Sequence, residues 1–213
     1  MFRETAPETP RRATLFVARH GEVDARWRRT VYGRLDVALS ERGEEQSRRM
    51  AAFFGDFELG FVVSSGLVRA ETAARLVRAG QPHLTGASET DARFLELNRG
   101  AWAGKPLAEL EAEDPEGIAE WRRLRGALRA PGGESPAELA ERTLPAFEDC
   151  ARRAAEDGRP GLVVAHLWVV RSAVARALGA PMERSGDLGL DPGGVVELAW
   201  TPGAAPELVR YAL

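Results

Sequence analysis

The sequence predicts an α/β fold: a mostly parallel central sheet flanked by helices in three layers, with a small cap of helices and loops. Three observations carry this. Short, continuously apolar runs at 13–18, 61–63 and 161–165 read as strands buried on both faces. Segments with helical apolar spacing lie between them. Two of the three histidines, His20 and His166, stand just beyond apolar runs, where open parallel sheets bind ligands.

The elements follow in order. Residues 1–12 hold charges and prolines without the apolar core of a signal peptide, and are expected to form a flexible tail. Residues 13–213 are expected to form one domain, a size suited to a single core. The first strand, 13–18, runs into Arg19-His20-Gly21-Glu22. Ser40 is a good N-cap for a helix over 40–54. A short strand at 61–63 precedes a helix over 67–79, with Leu67, Ala70, Ala74 and Val77 on one face. Residues 100–134 break the rhythm with Trp102, Trp121, glycines and Arg122, Arg123, Arg125 and Arg129, and are expected to form the cap. These arginines read as a solvated face and the tryptophans as cap packing.

Ser135-Pro136-Ala137-Glu138 is a capping box with proline in the first turn, opening a long helix. Its inner face is Leu139, Thr143, Phe147, Cys150 and Ala154, with Pro145 expected to kink it. A strand at 161–165, a helix at 168–178 and a hairpin of strands near 194–200 and 207–211 complete the chain.

Composition narrows the function. A net charge of −3 argues against a nucleic-acid surface spanning the domain. No apolar run approaches the roughly 20 residues of a membrane helix. The single cysteine, Cys150, excludes an intrachain disulfide and reads as core. With no export signal, a cytoplasmic location is expected. His83, in the 80–86 loop, reads as exposed.

Three clusters suggest chemistry. Arg19 beside His20 disfavours a metal and favours an anion. Nearby cations disfavour a second positive charge, so the imidazole is kept neutral and nucleophilic. Gly21 is expected to let the backbone approach a bound oxyanion. Arg69 falls near the start of a helix, where anions bind and a guanidinium forks onto phosphate oxygens. Its charge there opposes the helix dipole unless an anion is present. Glu96, between Leu95 and Leu97, alternates like a strand residue facing away from a core, and an enclosed carboxyl there suits an acid.

These residues, taken together, resemble the histidine phosphatase superfamily, which includes phosphoglycerate mutases and small phosphomonoesterases. The likeness rests on Arg19-His20-Gly21-Glu22, on Tyr32-Gly33-Arg34-Leu35-Asp36, and on Leu39 through Gly43 with Gln46. It continues through Ser65–Ala73, Leu95-Glu96 with Gly100, Trp102 and Gly104, Gly132–Ser135, and Val164-Ala165-His166. The motifs stand in family order.

The resemblance implies a phosphoglycerate mutase-like fold. It also implies a metal-independent, cofactor-free phosphatase acting on a small phosphorylated metabolite. His20 would become phosphohistidine. Arg19, Arg69 and a protonated His166 would hold the phosphoryl oxygens, and Glu96 would be the general acid. Gly21, Arg34 and Leu167 are added as substrate-binding residues. A short cap favours hydrolysis over the alternative, a phosphoglycerate-mutase-type transferase. A non-catalytic phospho-ligand module is disfavoured because His20 and Glu96 are both present. A homodimer is left open. Val23, the arginines of 24–29 and the pair Leu167-Trp168 depart from the usual pattern, so no single substrate is implied.

Overall fold

The computed structural model describes residues 11–85 and 88–213. The expected tail over 1–12 thus lies outside the described residues except for Arg11 and Arg12. Arg12 pairs with Glu207 at 2.6 Å.

Six strands form one sheet: β1 (Ala13–Arg19), β2 (Phe61–Ser64), β3 (Glu89–Thr90), β4 (Gly161–Ala165), β5 (Val195–Trp200) and β6 (Glu207–Tyr211). Their order is β3-β2-β4-β1-β5-β6. β3, β2, β4 and β1 pair in parallel, while β5 and β6 add an antiparallel hairpin. The two-residue edge strand β3 was not among the expected elements. The others fall within a residue or two of their expected limits.

Strand alternation divides the core between two faces. Leu15, Val17, Phe61, Val63 and Val163 point to α5 (Pro136–Asp157) and α6 (Leu167–Leu178). Phe16, Ala18, Val62, Leu162 and Val164 point to α1 (Glu41–Phe53) and α2 (Val68–Ala79). With every residue of β2 and β4 buried, neither strand has a polar face to show. That is why both read as short apolar runs.

Helix starts follow the expected chemistry. Ser40 Oγ accepts from Gly43 N at 3.1 Å. Ser135 and Glu138 close a reciprocal capping box. Leu139, Thr143, Phe147, Cys150 and Ala154 are all buried. Pro145 lies within the continuous 22-residue α5, on its exposed side, so the carbonyl it leaves without a helical donor faces water. Cys150 is buried and its thiol pKa is pushed up to about 12 by desolvation, in keeping with an inert core residue.

The cap contains α3 (Leu107–Glu113) and α4 (Pro115–Arg123). Trp102, Leu110, Ile118 and Ala130 pack there with Val31, and Trp121 meets Trp102 edge-on at 6.3 Å. Arg122, Arg123, Arg125 and Arg129 are exposed and paired with Glu111, Glu120, Asp187 and Glu138. Such surface pairs contribute little to stability. No described helix is long and apolar enough to cross a membrane.

Candidate active site

Register brings the histidines together. β1 and β4 are adjacent and parallel, with Arg19 paired to Ala165. His20 and His166 therefore leave neighbouring strands at the same level, and His20 N donates to Ala165 O at 3.0 Å. Their rings lie 5.1 Å apart. β2 ends beside β4, so Ser65 arrives next to His166, with Ser65 Oγ 2.7 Å from His166 Nε2.

The tautomer of His20 follows from its partners. Nδ1 lies 2.7 Å from Gly21 O, an acceptor only, so Nδ1 carries the proton. Arg69 Nε donates to Nε2 at 3.2 Å, so Nε2 holds the lone pair. Burial, and then the charges of Arg69 and Arg19, hold the His20 pKa well below its ordinary value, although the bond to Gly21 opposes this. The result is a neutral imidazole with its basic nitrogen turned toward a guanidinium.

Arg69 is wholly buried. Besides His20 it donates through Nη1 to Leu35 O and through Nη2 to Gly33 O, each at 2.7 Å, and it stands 5.2 Å from the ring of Tyr32. These acceptors offset the cost of a cation at the start of α2.

His166 is wholly buried. Burial first, then His20 and the arginines Arg69, Arg142 and Arg19, hold its pKa well below the ordinary value. Its Nδ1 and Arg19 Nε are buried polar atoms without a hydrogen-bond partner. Arg19 Nη1 donates to Leu190 O at 2.5 Å. Both orphaned atoms belong to residues expected to hold an anion.

Glu96 is buried, at 9% exposure. It does not lie in a strand. Residues 95–99 form an irregular segment after the 3-10 turn Ala92–Phe94. The flanking leucines alternate because Leu97 enters a small cluster with Leu139 and Trp168, not because a sheet is present. Glu96 Oε1 accepts from Leu97 N at 2.7 Å. Its carbonyl accepts from Arg34 Nε at 2.8 Å and from Arg142 Nη2 at 3.2 Å.

Glu134 ties these two arginines together. It accepts from Arg142 Nε at 2.7 Å, Arg142 Nη2 at 2.8 Å, Arg34 Nη2 at 3.0 Å and Asn98 N at 3.2 Å. Burial works to raise the Glu134 pKa, but the bonds from Arg142 and Asn98 and the charge of Arg34 win and hold it below its ordinary value.

Among the sequence-predicted site residues, His20, His166, Arg19 and Arg69 converge. Arg19, Glu96 and Leu167 line a cavity of about 220 Å³ together with Arg28, Tyr32, Arg99, Trp121 and Trp168. Arg34 braces the Glu96 backbone. Gly21 packs on α1, where a Cβ would collide with the Gly43 backbone, so that contact by itself requires glycine. Neither histidine is on the wall of the 220 Å³ cavity or of a larger groove, about 370 Å³, beside Arg42, Gln46 and Arg49; the cavity reaches the histidine pair through Arg19, which precedes His20 in the chain. Arg99, Tyr32 and Glu134 were not singled out as site residues from sequence.

The sequence matches the pattern of the histidine phosphatase superfamily (branch 1) over residues 15–213. The chain belongs to that superfamily. Within it, the protein is 31% identical over 211 residues to glucosyl-3-phosphoglycerate phosphatase of Mycobacterium tuberculosis, covering 93% of this chain and 92% of that one. It is also 31% identical over 172 residues to a probable phosphoglycerate mutase GpmB of Erwinia tasmaniensis, covering 78% and 75%. A mycobacterial glucosyl-3-phosphoglycerate phosphatase structure superposes with a TM-score of 0.82 at 26% identity, covering 95% and 99% of the two chains. This histidine phosphatase chain thus shares its whole fold with phosphatases, and its motifs stand at the C-terminal ends of the parallel strands.

Proposed function

We propose that the protein is a metal-independent phosphatase that hydrolyses a small phosphomonoester through phosphohistidine on His20. The carrying observation is the pair of contacts His20 makes, to Gly21 O and to Arg69 Nε. Nδ1–H is committed to Gly21 O, and Nε2 is an unprotonated, buried nitrogen beside Arg69. A base held neutral among cations is a nucleophile for an anion that those cations attract.

In this reading Nε2 attacks phosphorus and the P–O bond to the leaving group breaks. Arg19 and Arg69 hold the equatorial oxygens. Glu96 gives its proton to the departing alkoxide, then takes one from water as that water attacks the phosphohistidine. Phosphate leaves and His20 Nε2 regains its lone pair. A bound dianion favours the protonated form of His166 by supplying an opposite charge among the cations. Positive charge comes from guanidinium groups already fixed by carbonyl and imidazole contacts, so little reorganisation is needed at the transition state. Mycobacterial glucosyl-3-phosphoglycerate phosphatase has been solved with inorganic phosphate and with VO3, which supports an anion site in this fold. The expected physiological partner is a small phosphorylated metabolite.

The test is turnover of a phosphomonoester panel by wild type and His20→Ala, each with and without a chelator. Hydrolysis that survives chelation and vanishes in the variant is expected. Activity retained by His20→Ala overturns the reading.

A further inference from the structure

The two nitrogens of His166 are in unequal settings. Nδ1 is buried and has no hydrogen-bond partner among the described residues. Nε2, on the other side of the ring, meets Ser65 Oγ at 2.7 Å. Both residues are closed off from water, Ser65 at 4% exposure and His166 at 0%. A tight turn delivers the hydroxyl. β2 ends at Ser64, Gly66 takes a φ of +84°, and α2 starts at Val68. Within that turn Leu67 N donates to Ser65 Oγ at 3.3 Å, which ties the hydroxyl to its own backbone. The adjacent Ser64 hydroxyl is engaged elsewhere. It bonds Glu71 Oε2 at 2.7 Å and accepts from Gly66 N at 3.2 Å.

These partners fix the direction of the Ser65 bond. A serine hydroxyl has one proton to give and two lone pairs to offer. Leu67 N is a donor and takes a lone pair. Among the described residues, His166 Nε2 is the one acceptor within hydrogen-bond distance of Ser65 Oγ. Were a neutral His166 to carry its proton on Nε2, the hydroxyl proton would be buried with no acceptor, which costs its full desolvation. With the hydroxyl donating to Nε2, both groups are satisfied and the imidazole proton sits on Nδ1. If the ring gains a second proton, Nε2–H donates to Ser65 Oγ and Nδ1 keeps its own. In either charge state Nδ1 is a donor, whereas a lone pair there would repel an anion.

We infer that Ser65 is a positioning residue: its hydroxyl holds the proton of His166 on Nδ1, the buried atom left to donate to a phosphoryl oxygen. The tautomer is a property of the free protein, while its use on a phosphoryl oxygen rests on the phosphatase reading. Ser65 touches neither the leaving group nor phosphorus and acts through His166 alone.

The experiment has two arms. Two-bond 1H–15N correlation spectra of histidine-labelled protein distinguish a protonated from a bare ring nitrogen, and His166→Ala assigns the signals. Wild type is expected to carry the proton on Nδ1, and Ser65→Ala to move it to Nε2 in part or all of the molecules. The second arm is a double-mutant cycle in kcat/KM with p-nitrophenyl phosphate. Ser65→Ala is expected to lower kcat/KM by roughly 10-fold or more, the size of one charge-assisted bond. In the His166→Ala background the same substitution is expected to cost less than about 3-fold, because its route of action is already gone. A bare Nδ1 in wild type overturns the inference, as does a loss from Ser65→Ala that is undiminished when His166 is absent. Wild type that turns over no ester but carries the proton on Nδ1 overturns the phosphatase reading alone and supports the assignment of Ser65.

Discussion

Glu134→Gln probes how the acid is held in place. The carboxylate receives three guanidinium bonds, from Arg142 at 2.7 and 2.8 Å and from Arg34 at 3.0 Å. Both arginines also grip Glu96 O. Charge-assisted bonds contribute about 1.5–3 kcal/mol each. The side chains of Arg34 and Arg142 are 34% and 20% exposed, so solvent takes up part of any loss. Glutamine keeps one acceptor oxygen but turns an N–H toward a donor. The net cost is about 2–3 kcal/mol, which for a chain of this size lowers Tm by roughly 5–10 °C.

Activity should change selectively. Loosening Arg34 and Arg142 lets the Glu96 segment drift, and acid catalysis is sensitive to placement. Turnover of an alkyl phosphate is expected to fall about 10-fold, and that of an aryl phosphate by less than about 3-fold. The pH dependence carries a sign. The folded pKa of Glu134 lies below its unfolded value of 4.5, so its stabilisation is complete above that pH and is lost as pH falls through the folded pKa. The difference in stability between wild type and Glu134→Gln should shrink on acidification. Thermal unfolding across pH and paired alkyl and aryl kinetics measure both effects. An unchanged Tm, or equal losses on both substrates, would refute the reasoning.

Three further outcomes are expected. Glu96→Gln should slow alkyl phosphates on the order of 10²-fold more than aryl phosphates, whose leaving groups depart without a proton; a uniform loss would remove Glu96 from the acid role. Arg69→Lys should lower turnover on the order of 10²-fold and cost about 2–4 kcal/mol in unfolding experiments, because at least one of the carbonyls of Gly33 and Leu35 loses its buried donor; kinetics and stability both like wild type would contradict its placement. Leu167 lines the cavity and also a small apolar crevice with Leu188 and Leu190. Leu167→Gly should reorder the ranking of phosphomonoesters with little effect on an aryl phosphate, whereas a parallel profile with lowered thermal stability would assign Leu167 to packing alone.

Much of this was legible in sequence where a single local force decides the outcome. β1, β2 and β4 are buried between two helical layers, so their apolar runs gave them away. Ser40 and Ser135 act within three residues of themselves, and their capping was evident. The convergence of His20 and His166 followed from strand ends in a parallel sheet. What was not legible depends on distant partners. Glu134 meets Arg34 across 100 positions. Arg99 gains its setting only when Trp121 and Trp168 close on it. The backbone of Glu96 misled because Leu97 is buried against Leu139 and Trp168 without a strand.

The most direct measurement of the central claim is capture of the covalent intermediate. Protein mixed with a phosphomonoester labelled in its phosphoryl group is quenched in alkali or in acid, and the labelled peptide is mapped. Label retained in alkali, lost in acid and located on His20 is the expected result, with none in His20→Ala. Hydrolysis at full rate with no label on His20 under alkaline quench would contradict it.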